Sequence, residues 1–384
     1  MSWLFLALSV VSLGLAALGV WGHKVPGPWW APAMAVAELA PWFLVAQGGM
    51  VAGFAAFGWI GGSVGSFGLA TSAVAAVLLA IAVARSLSAR PSIESGLGDL
   101  LGETVRLPRT RMRTLVRPGR ALTDGLEAST HSYGPHRRHL VDRITARGAR
   151  LPAPVLIHIH GGGWWRGDRG TQARPLLRRM AAAGWVVLTP SYRLSPEATF
   201  PDHLRDIERL LEWVRANQAE LGADAGFIAV AGGSSGGHLA ALAGMPADGG
   251  AAIQVSIPIY GVHDLLGRDG ASAKWPYLES QVMKSDPRSS REQWLDASPI
   301  HRAAWARSPF LVVHGAEDSL VNASDSRRLV AALREAGVVA VGHIEVPWAN
   351  HGFDHFASIR GTQLANGIGL ALERLYEKSR SLGA

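Results

Sequence analysis

Two long uncharged stretches dominate the hydrophobic pattern of the first part of the chain. No Lys, Arg, Asp or Glu occurs in residues 1–23 or in residues 39–84. A helix needs about 20 apolar residues to cross a bilayer. The first stretch therefore predicts one span, Trp3–Trp21, and the second has room for two, Trp42–Ile60 and Val64–Ala84.

Beyond Tyr133 the pattern changes, and short apolar runs alternate with helical ones. The runs typical of buried strands are Val155–Ile159, Trp185–Leu188, Phe227–Ala231, Ile253–Ile259, Phe310–Val313 and Ala340–Val346. The predicted helices are Thr171–Ala183, Pro201–Leu221, Ser234–Gly244, Ala323–Ala336 and one near Ile359–Lys378. This alternation predicts a mostly parallel sheet with helices on both faces. The stretch 262–305 breaks the alternation and is predicted to be a cap-like insertion over the site.

The net charge of +7 is distributed unevenly along the chain. Residues 1–90 carry three basic residues and one acid, residues 91–150 carry eleven Arg and six acids, and the remainder carries 23 of each. The excess therefore marks a segment beside the last predicted span, and no nucleic-acid partner is expected. The absence of cysteine excludes disulfides, thiolate metal sites and cysteine nucleophiles.

These patterns divide the chain into three expected regions. Residues 1–90 form the transmembrane region, 91–130 a basic linker beside anionic headgroups, and 131–384 the catalytic domain. Basic residues lie in the 22–41 loop and after the last span. The positive-inside rule therefore predicts a multi-pass protein with a cytoplasmic catalytic domain. Glu38 is expected at a solvated position near the membrane interface.

The most informative motif is Gly232-Gly233-Ser234-Ser235-Gly236-Gly237, between an apolar run and a helix-forming stretch. Serine among glycines at that place is typical of a nucleophile elbow, the sharp turn that lifts a hydroxyl out of a sheet. The G-x-S-x-G pattern fits twice, centred on Ser234 or on Ser235. The spacing alone leaves the nucleophile open between these two serines.

Three further motifs follow predicted strands. The glycine turn His160–Trp164 can present backbone N–H groups to an oxyanion without a bulky side chain in the way. Asp318, with Glu317 as its competitor, is the candidate acid that would orient a histidine. His351 is the candidate base. The order Ser, Asp, His along the chain is that of α/β-hydrolases.

Together the motifs resemble the hormone-sensitive-lipase-like branch of α/β-hydrolase carboxylesterases. The motifs of the likeness are His160–Trp164, Tyr192–Glu197 with Phe200-Pro201, Gly232–Ala240, His314-Gly315 with Asp318, and His351-Gly352-Phe353. The likeness covers residues 130–384. With its apolar N-terminal region, the chain is similar to membrane-attached bacterial esterases of this branch, and an α/β-hydrolase fold is implied.

The resemblance implies a role for each candidate residue. When the elbow is aligned on its last two glycines, Ser234 is the nucleophile, and Asp318 and His351 complete the triad. The implied oxyanion hole consists of the backbone N–H groups of Gly162, Gly163 and Ser235. The chain departs from the family pattern at two positions: Gly233 stands where Asp is usual, and Ser235 stands where Ala is usual.

The predicted function is a serine carboxylester hydrolase that acts through an acyl-enzyme on apolar or lipid-like acyl esters. This chemistry needs no metal or organic cofactor, and the spacing of His131, His136 and His139 is not a familiar ligand pattern. The expected partners are a small-molecule or lipid ester and membrane lipids. The same triad also serves amidases, formamidases and deacetylases. A non-enzymatic membrane-bound receptor is disfavoured because such proteins typically lose a triad member.

Overall fold

The computed structural model describes residues 1–24, 29–108, 125–247, 253–267 and 274–382. The helices that precede the sheet are α1 (Ser2–Trp21), α2 (Trp30–Glu38), α3 (Ala40–Ala56), α4 (Gly62–Leu87) and α5 (Ala89–Leu101). Helices α1, α3 and α4 overlap the three predicted spans. Helix α1 and the α4–α5 unit are long and apolar enough to cross a membrane, and α2 and α3, bent by 74°, make a third crossing if they form one span.

Helices α1 and α4 pack closely along one another. A Cβ on Gly68 of α4 would lie 2.6 Å from the ring of Phe5 in α1, so this glycine allows the close approach. Ser12 donates a hydrogen bond of 2.8 Å to Gln47, which ties α3 to the pair. The outward faces expose large apolar side chains, among them Trp3, Val11, Val45, Phe67 and Val77. Water solvates such a continuous apolar surface poorly.

The C-terminal part is built on one eight-stranded sheet. The strands are β1 (Leu126–Ser132), β2 (Leu140–Ala146), β3 (Ala153–Ile159), β4 (Val186–Pro190), β5 (Ala223–Gly233), β6 (Val255–Ile259), β7 (Phe310–Gly315) and β8 (Val341–Val346). Their order is β1-β2-β4-β3-β5-β6-β7-β8, with β2 antiparallel to both neighbours and the other pairs parallel. The predicted mostly parallel sheet is confirmed, and each predicted strand overlaps one of β3 to β8.

Helices cover both faces of the sheet. They are α6 (Arg174–Ala182), α7 (Asp202–Ala216), α8 (Gln218–Leu221), α9 (Ser235–Ala243), α10 (Arg291–Asp296), α11 (Ser324–Glu335) and α12 (Ile359–Leu382). Each predicted helix of this part overlaps one of them. The segment between β6 and β7 contains a π-helical turn at Leu278–Met283 and α10.

The sheet and its core extend further toward the N-terminus than the sequence predicts. Strand β1 begins at Leu126, ahead of the predicted boundary at residue 131. Helix α5 lies within the predicted linker 91–130, yet it buries Ile93 and Leu97 in the core beneath β8. The linker prediction was therefore wrong for α5, because scattered Gly and charged residues concealed a spacing of four between its buried positions. Residues 109–124 of that segment lie outside the described residues.

Glu38 is buried rather than solvated, with 3% of its surface exposed. Its carboxylate lies 3.2 Å from Nη1 of Arg360, which is equally buried. A buried charge is tolerated when it is paired. The expectation of a solvated position was wrong because the partner lies in α12, far along the chain.

Candidate active site

Ser234 lies at the turn between β5 and α9. Its backbone has φ +58° and ψ −121°, a left-handed conformation that costs energy in a residue with a side chain. A Cβ on Gly232 or on Gly236 would collide with neighbouring backbone. The turn therefore requires glycines on both sides of the serines, as in the nucleophile elbow.

The structure separates the two adjacent serines. Ser234 lines a cavity, whereas Ser235 is fully buried, and its Oγ lies 3.4 Å from the hydroxyl of Tyr192. Ser235 is also the first residue of α9, and the first N–H groups of a helix have no acceptor within the helix. The hydroxyl of Ser234 and the backbone N–H of Ser235 are thus the groups that this turn can offer to a ligand.

Asp318 and His351 follow β7 and β8, and the structure brings them together. Nδ1 of His351 lies 2.7 Å from Oδ2 of Asp318. Because a carboxylate only accepts, Nδ1 is the donor in this contact, and in the neutral form of the ring Nε2 is therefore the acceptor. His351 lines the same cavity as Ser234. The competing acid, Glu317, points elsewhere, with its carboxylate 3.4 Å from Nε2 of His23.

The second oxygen of Asp318 is fixed by backbone. Oδ1 accepts hydrogen bonds of 2.8 Å from the N–H groups of Leu320 and Val321. Burial alone would raise the pKa of Asp318, but attraction to His351 and hydrogen bonds from His314 and His351 hold the pKa well below its usual range. The carboxylate is therefore ionised and held in one orientation beside His351.

His314 is a neighbour of the acid that belongs to one of the sequence motifs, although the sequence predicted no role for it. Its Nδ1 lies 2.6 Å from Oγ of Ser326, and its Nε2 lies 2.9 Å from the carbonyl oxygen of Val321 and 3.3 Å from Oδ2 of Asp318. Since the carbonyl only accepts, Nε2 carries the proton. His314, which does not line the cavity, thus gives the carboxylate a second imidazole neighbour.

The glycine turn after β3 lies directly over the elbow. A Cβ on Gly161 would come within 2.6 Å of the carbonyl oxygen of Gly233, and Gly161 N–H donates 2.7 Å to Oε1 of Gln172. Gly162 and Gly163 have φ of +129° and +63°, which favour glycine, and both line the cavity with Ser234. The turn therefore places Gly162 and Gly163 at the wall of the cavity that Ser234 also lines.

His160 anchors the start of this turn. Its ring stacks on Tyr192 with centroids 4.5 Å apart. Burial lowers the pKa of His160 to about 4, so the ring is neutral near pH 7. The histidine of the motif is therefore a packing residue beneath the glycines.

The departure at Gly233 has a steric reason in the structure. A Cβ at this position would lie 2.8 Å from the hydroxyl oxygen of Tyr260. That hydroxyl donates to Asp354, which the structure buries, and the ring of Tyr260 lies 4.7 Å from that of His351. Tyr260 therefore occupies space that an aspartate at 233 would need, and it packs on the histidine.

The cavity above these groups has a volume of about 720 Å³. Its walls are largely aromatic and aliphatic, formed by Trp30, Trp164, Trp165, Tyr260, Trp275, Tyr277 and Leu320 among others. A site of this size and character suits an apolar ligand with a few polar anchors. In the sequence, the only indication of the contact between Tyr260 and His351 is the glycine at 233, where the family usually has Asp. No local pattern in the sequence predicts that Trp30 lines the cavity.

Comparison with known proteins identifies the family to which the chain is similar. A profile of the BD-FAE family matches residues 142–333, half of the chain. The chain is 37% identical over 281 residues to esterase LipQ of Mycobacterium tuberculosis, covering 70% of this chain and 66% of LipQ. It is 37% identical over 236 residues to the probable carboxylic ester hydrolase LipM of the same organism, covering 58% and 55%. The matched regions thus cover between about half and two thirds of the length of these relatives.

Solved structures agree with the observed sheet. Esterase 2 of Thermogutta terrifontis, with propionate bound, has a TM-score of 0.52 and 26% identity, covering 67% of this chain and 95% of that one. A truncated carbohydrate esterase from gut microbiota has a TM-score of 0.55 at 23% identity, covering 66% and 97%, a likeness of fold. The resemblance inferred from the motifs is therefore confirmed, and the chain belongs to the BD-FAE family of α/β-hydrolase carboxylesterases.

Proposed function

We propose that the chain is a serine carboxylester hydrolase that acts through an acyl-enzyme. The observation that carries the proposal is the hydrogen bond of 2.7 Å between His351 and Asp318, in a cavity that Ser234 also lines. Geometry of this kind is what activates a serine hydroxyl, because the histidine takes its proton and the carboxylate stabilises the resulting imidazolium. The esterases among the relatives support the same reaction class.

In the first half of the reaction, Oγ of Ser234 attacks the carbonyl carbon of the ester while Nε2 of His351 takes its proton. The carbonyl oxygen becomes an oxyanion, and the N–H groups of Gly162, Gly163 and Ser235 stabilise it. Removing a single such donor in other hydrolases costs about 100- to 1,000-fold in kcat. His351 then returns the proton to the departing alcohol, and the acyl group remains on Ser234.

In the second half, His351 takes a proton from water, which attacks the acyl-enzyme at the same carbonyl carbon. The tetrahedral intermediate collapses, Ser234 recovers its proton from His351, and the carboxylic acid leaves. Both halves use the same histidine as base and then as acid. The reaction as written needs only these residues and water.

The aromatic walls support an apolar or lipid-like acyl group as the substrate. Trp275 and Tyr277, from the segment between β6 and β7, line the cavity. Gly162 and Gly163 of the glycine turn after β3, here called the oxyanion turn, line it as well. We assign this segment, within 262–305, the role of a cap over the acyl group. Residues 268–273 of the segment lie outside the described residues.

A panel of esters and amides, together with a fluorophosphonate probe, tests the activity. We expect the probe to label Ser234, as mass spectrometry of the modified peptide would show. We also expect p-nitrophenyl esters to turn over at least 100-fold faster than the matching anilides. Faster turnover of the anilides would favour the amidase alternative. Folded protein without labelling at Ser234 would instead favour a receptor.

The apolar helices support a multi-pass location, with the catalytic domain in the cytoplasm and membrane lipids around the bundle. Lys24, Arg85 and Arg90 lie at the helix ends that adjoin the catalytic domain, which agrees with the positive-inside rule. The turn between α3 and α4 lacks charged residues. The bent α2–α3 pair then counts as the third span.

Reporter fusions test this orientation. A green fluorescent protein fused after Ala384 should fluoresce, and alkaline phosphatase at the same place should be inactive. The matched control is a fusion after Ile60, on the opposite side, where the two reporters should give the reverse result. Active phosphatase at the C-terminus would show that the catalytic domain lies outside the cytoplasm.

A further inference from the structure

The N-terminal helices reach into the cavity that holds Ser234. Trp30, the first residue of α2, lines this cavity, and its ring meets that of His351 edge-on, with centroids 5.4 Å apart and planes at 88°. Tyr260 packs on the same histidine with a centroid distance of 4.7 Å. The imidazole is thus held between one aromatic residue of the catalytic domain and one of the apolar N-terminal region.

Further contacts fix the N-terminal helices to the loops that carry the triad. Arg360 pairs with Glu38 at the end of α2 and donates 2.7 Å to the carbonyl oxygen of Trp348, just before His351. The guanidinium of Arg85, near the end of α4, lies 4.2 Å from the centroid of the Trp348 ring. A cation that lies over the face of an indole ring is attracted to that ring electrostatically. The loop after β8 is therefore bound by α2 and by α4.

The loop after β7 is contacted in the same way. His23, just after α1, lies 3.4 Å from Glu317, the residue before Asp318. The ends of α1, α2 and α4 thus lie together beside both loops. Helix α1 has 20 residues, a length of about 30 Å at 1.5 Å per residue, which is the thickness of the hydrocarbon core. A spanning α1 then has its far end at the opposite face of the bilayer, and the helix ends at the triad loops lie at the near surface.

The cavity also presents apolar residues to the outside. Trp165 and Leu320 line the cavity while 53% and 41% of their respective surfaces are exposed. Exposed tryptophans are typical of the level where a membrane meets water. Trp30, on the part of the wall formed by α2, adds to this apolar lining.

We propose that Trp30 is a specificity-determining residue and that α2 adapts the active site to esters that reside in the bilayer, with a long acyl chain lying along the Trp30 wall. The proposal rests on the ester-hydrolase function proposed above. It commits to an amphiphilic ester drawn from the membrane, as opposed to a water-soluble ester. An acyl chain contributes about 0.8 kcal/mol per buried CH₂, so a wall that buries several methylenes discriminates strongly by chain length.

The test uses the full chain in phosphatidylcholine vesicles. Two substrates are compared, p-nitrophenyl palmitate incorporated in the vesicles and p-nitrophenyl acetate in the water, and the measured quantity is the ratio of their kcat/KM values. We expect Trp30→Ala to lower this ratio at least tenfold. The matched control is Trp29→Ala, the neighbouring exposed tryptophan, which should change the ratio less than twofold.

Labelling by a small fluorophosphonate identifies variants with an assembled site. Trp30→Phe, which keeps a ring against His351 but shortens the wall, is the second variant and should lower the ratio at least threefold. An unchanged ratio in either labelled variant, or an equal loss on both substrates, overturns the proposal. Ser234→Ala separates the two hypotheses. If this variant still hydrolyses both esters, the proposed function fails. If Ser234→Ala loses hydrolysis of both esters but the Trp30 variants keep the wild-type ratio, only the present inference fails.

Discussion

Replacing Ser234 by alanine should lower kcat for p-nitrophenyl ester hydrolysis by about 10⁶-fold, as the loss of a triad serine does in other hydrolases. The effect is large because no acyl-enzyme can form once Oγ is removed. What remains is the contribution of the oxyanion turn and of substrate binding, which the substitution leaves in place. Initial rates with purified protein, corrected for uncatalysed hydrolysis, measure this loss.

Ser235→Ala is the matched control, one residue away. It removes a fully buried hydroxyl near Tyr192 but keeps the backbone N–H at the start of α9. We expect it to retain at least a tenth of the wild-type kcat. If Ser235→Ala abolished hydrolysis in folded protein and Ser234→Ala did not, the nucleophile would have been assigned to the wrong member of the pair.

The sequence predicts most of the parallel part of the sheet well, for a physical reason. Strands β3, β4, β6 and β7 are buried along their whole length, so they read as nearly continuous apolar runs. Strand β1 lies at the sheet edge with most of its side chains exposed, and its polar sequence carries no such signal. The same reasoning explains why the charge-free helices were identified and the mixed sequence of α5 was not.

Some residues of the candidate site can likewise be predicted from the sequence, and others cannot. Motifs that follow strands are predictable, because the ends of parallel strands meet at one edge of the sheet, which is where Ser234, Asp318 and His351 lie. Trp30 and Tyr260 reach His351 from parts of the chain that share no local pattern with it. Their contacts depend on tertiary packing, which hydrophobic periodicity does not encode. The pairing of Glu38 with Arg360 was missed for this reason as well.

Asp318→Asn should lower kcat by about 10⁴-fold, the size of the effect that the equivalent change has in a serine protease triad. The side-chain oxygen of asparagine would remain with the N–H groups of Leu320 and Val321, which hold Oδ1 at 2.8 Å. Its NH₂ group would then face Nδ1 of His351. The NH₂ group and Nδ1–H are both donors and cannot bond to each other, so the imidazole would carry its proton on Nε2 instead. Nε2 could then no longer accept the proton of Ser234.

The matched control for Asp318→Asn is Glu317→Gln, which changes the neighbouring acid in the same way. Its carboxylate faces His23 rather than His351, so we expect kcat within about threefold of wild type. Thermal unfolding of both variants separates a catalytic loss from a folding defect. A loss of less than tenfold in folded Asp318→Asn would mean that His351 keeps its working tautomer without this carboxylate. A large loss in Glu317→Gln would instead show that the contact with the N-terminal helices, through the loop after β7, sets the position of the acid.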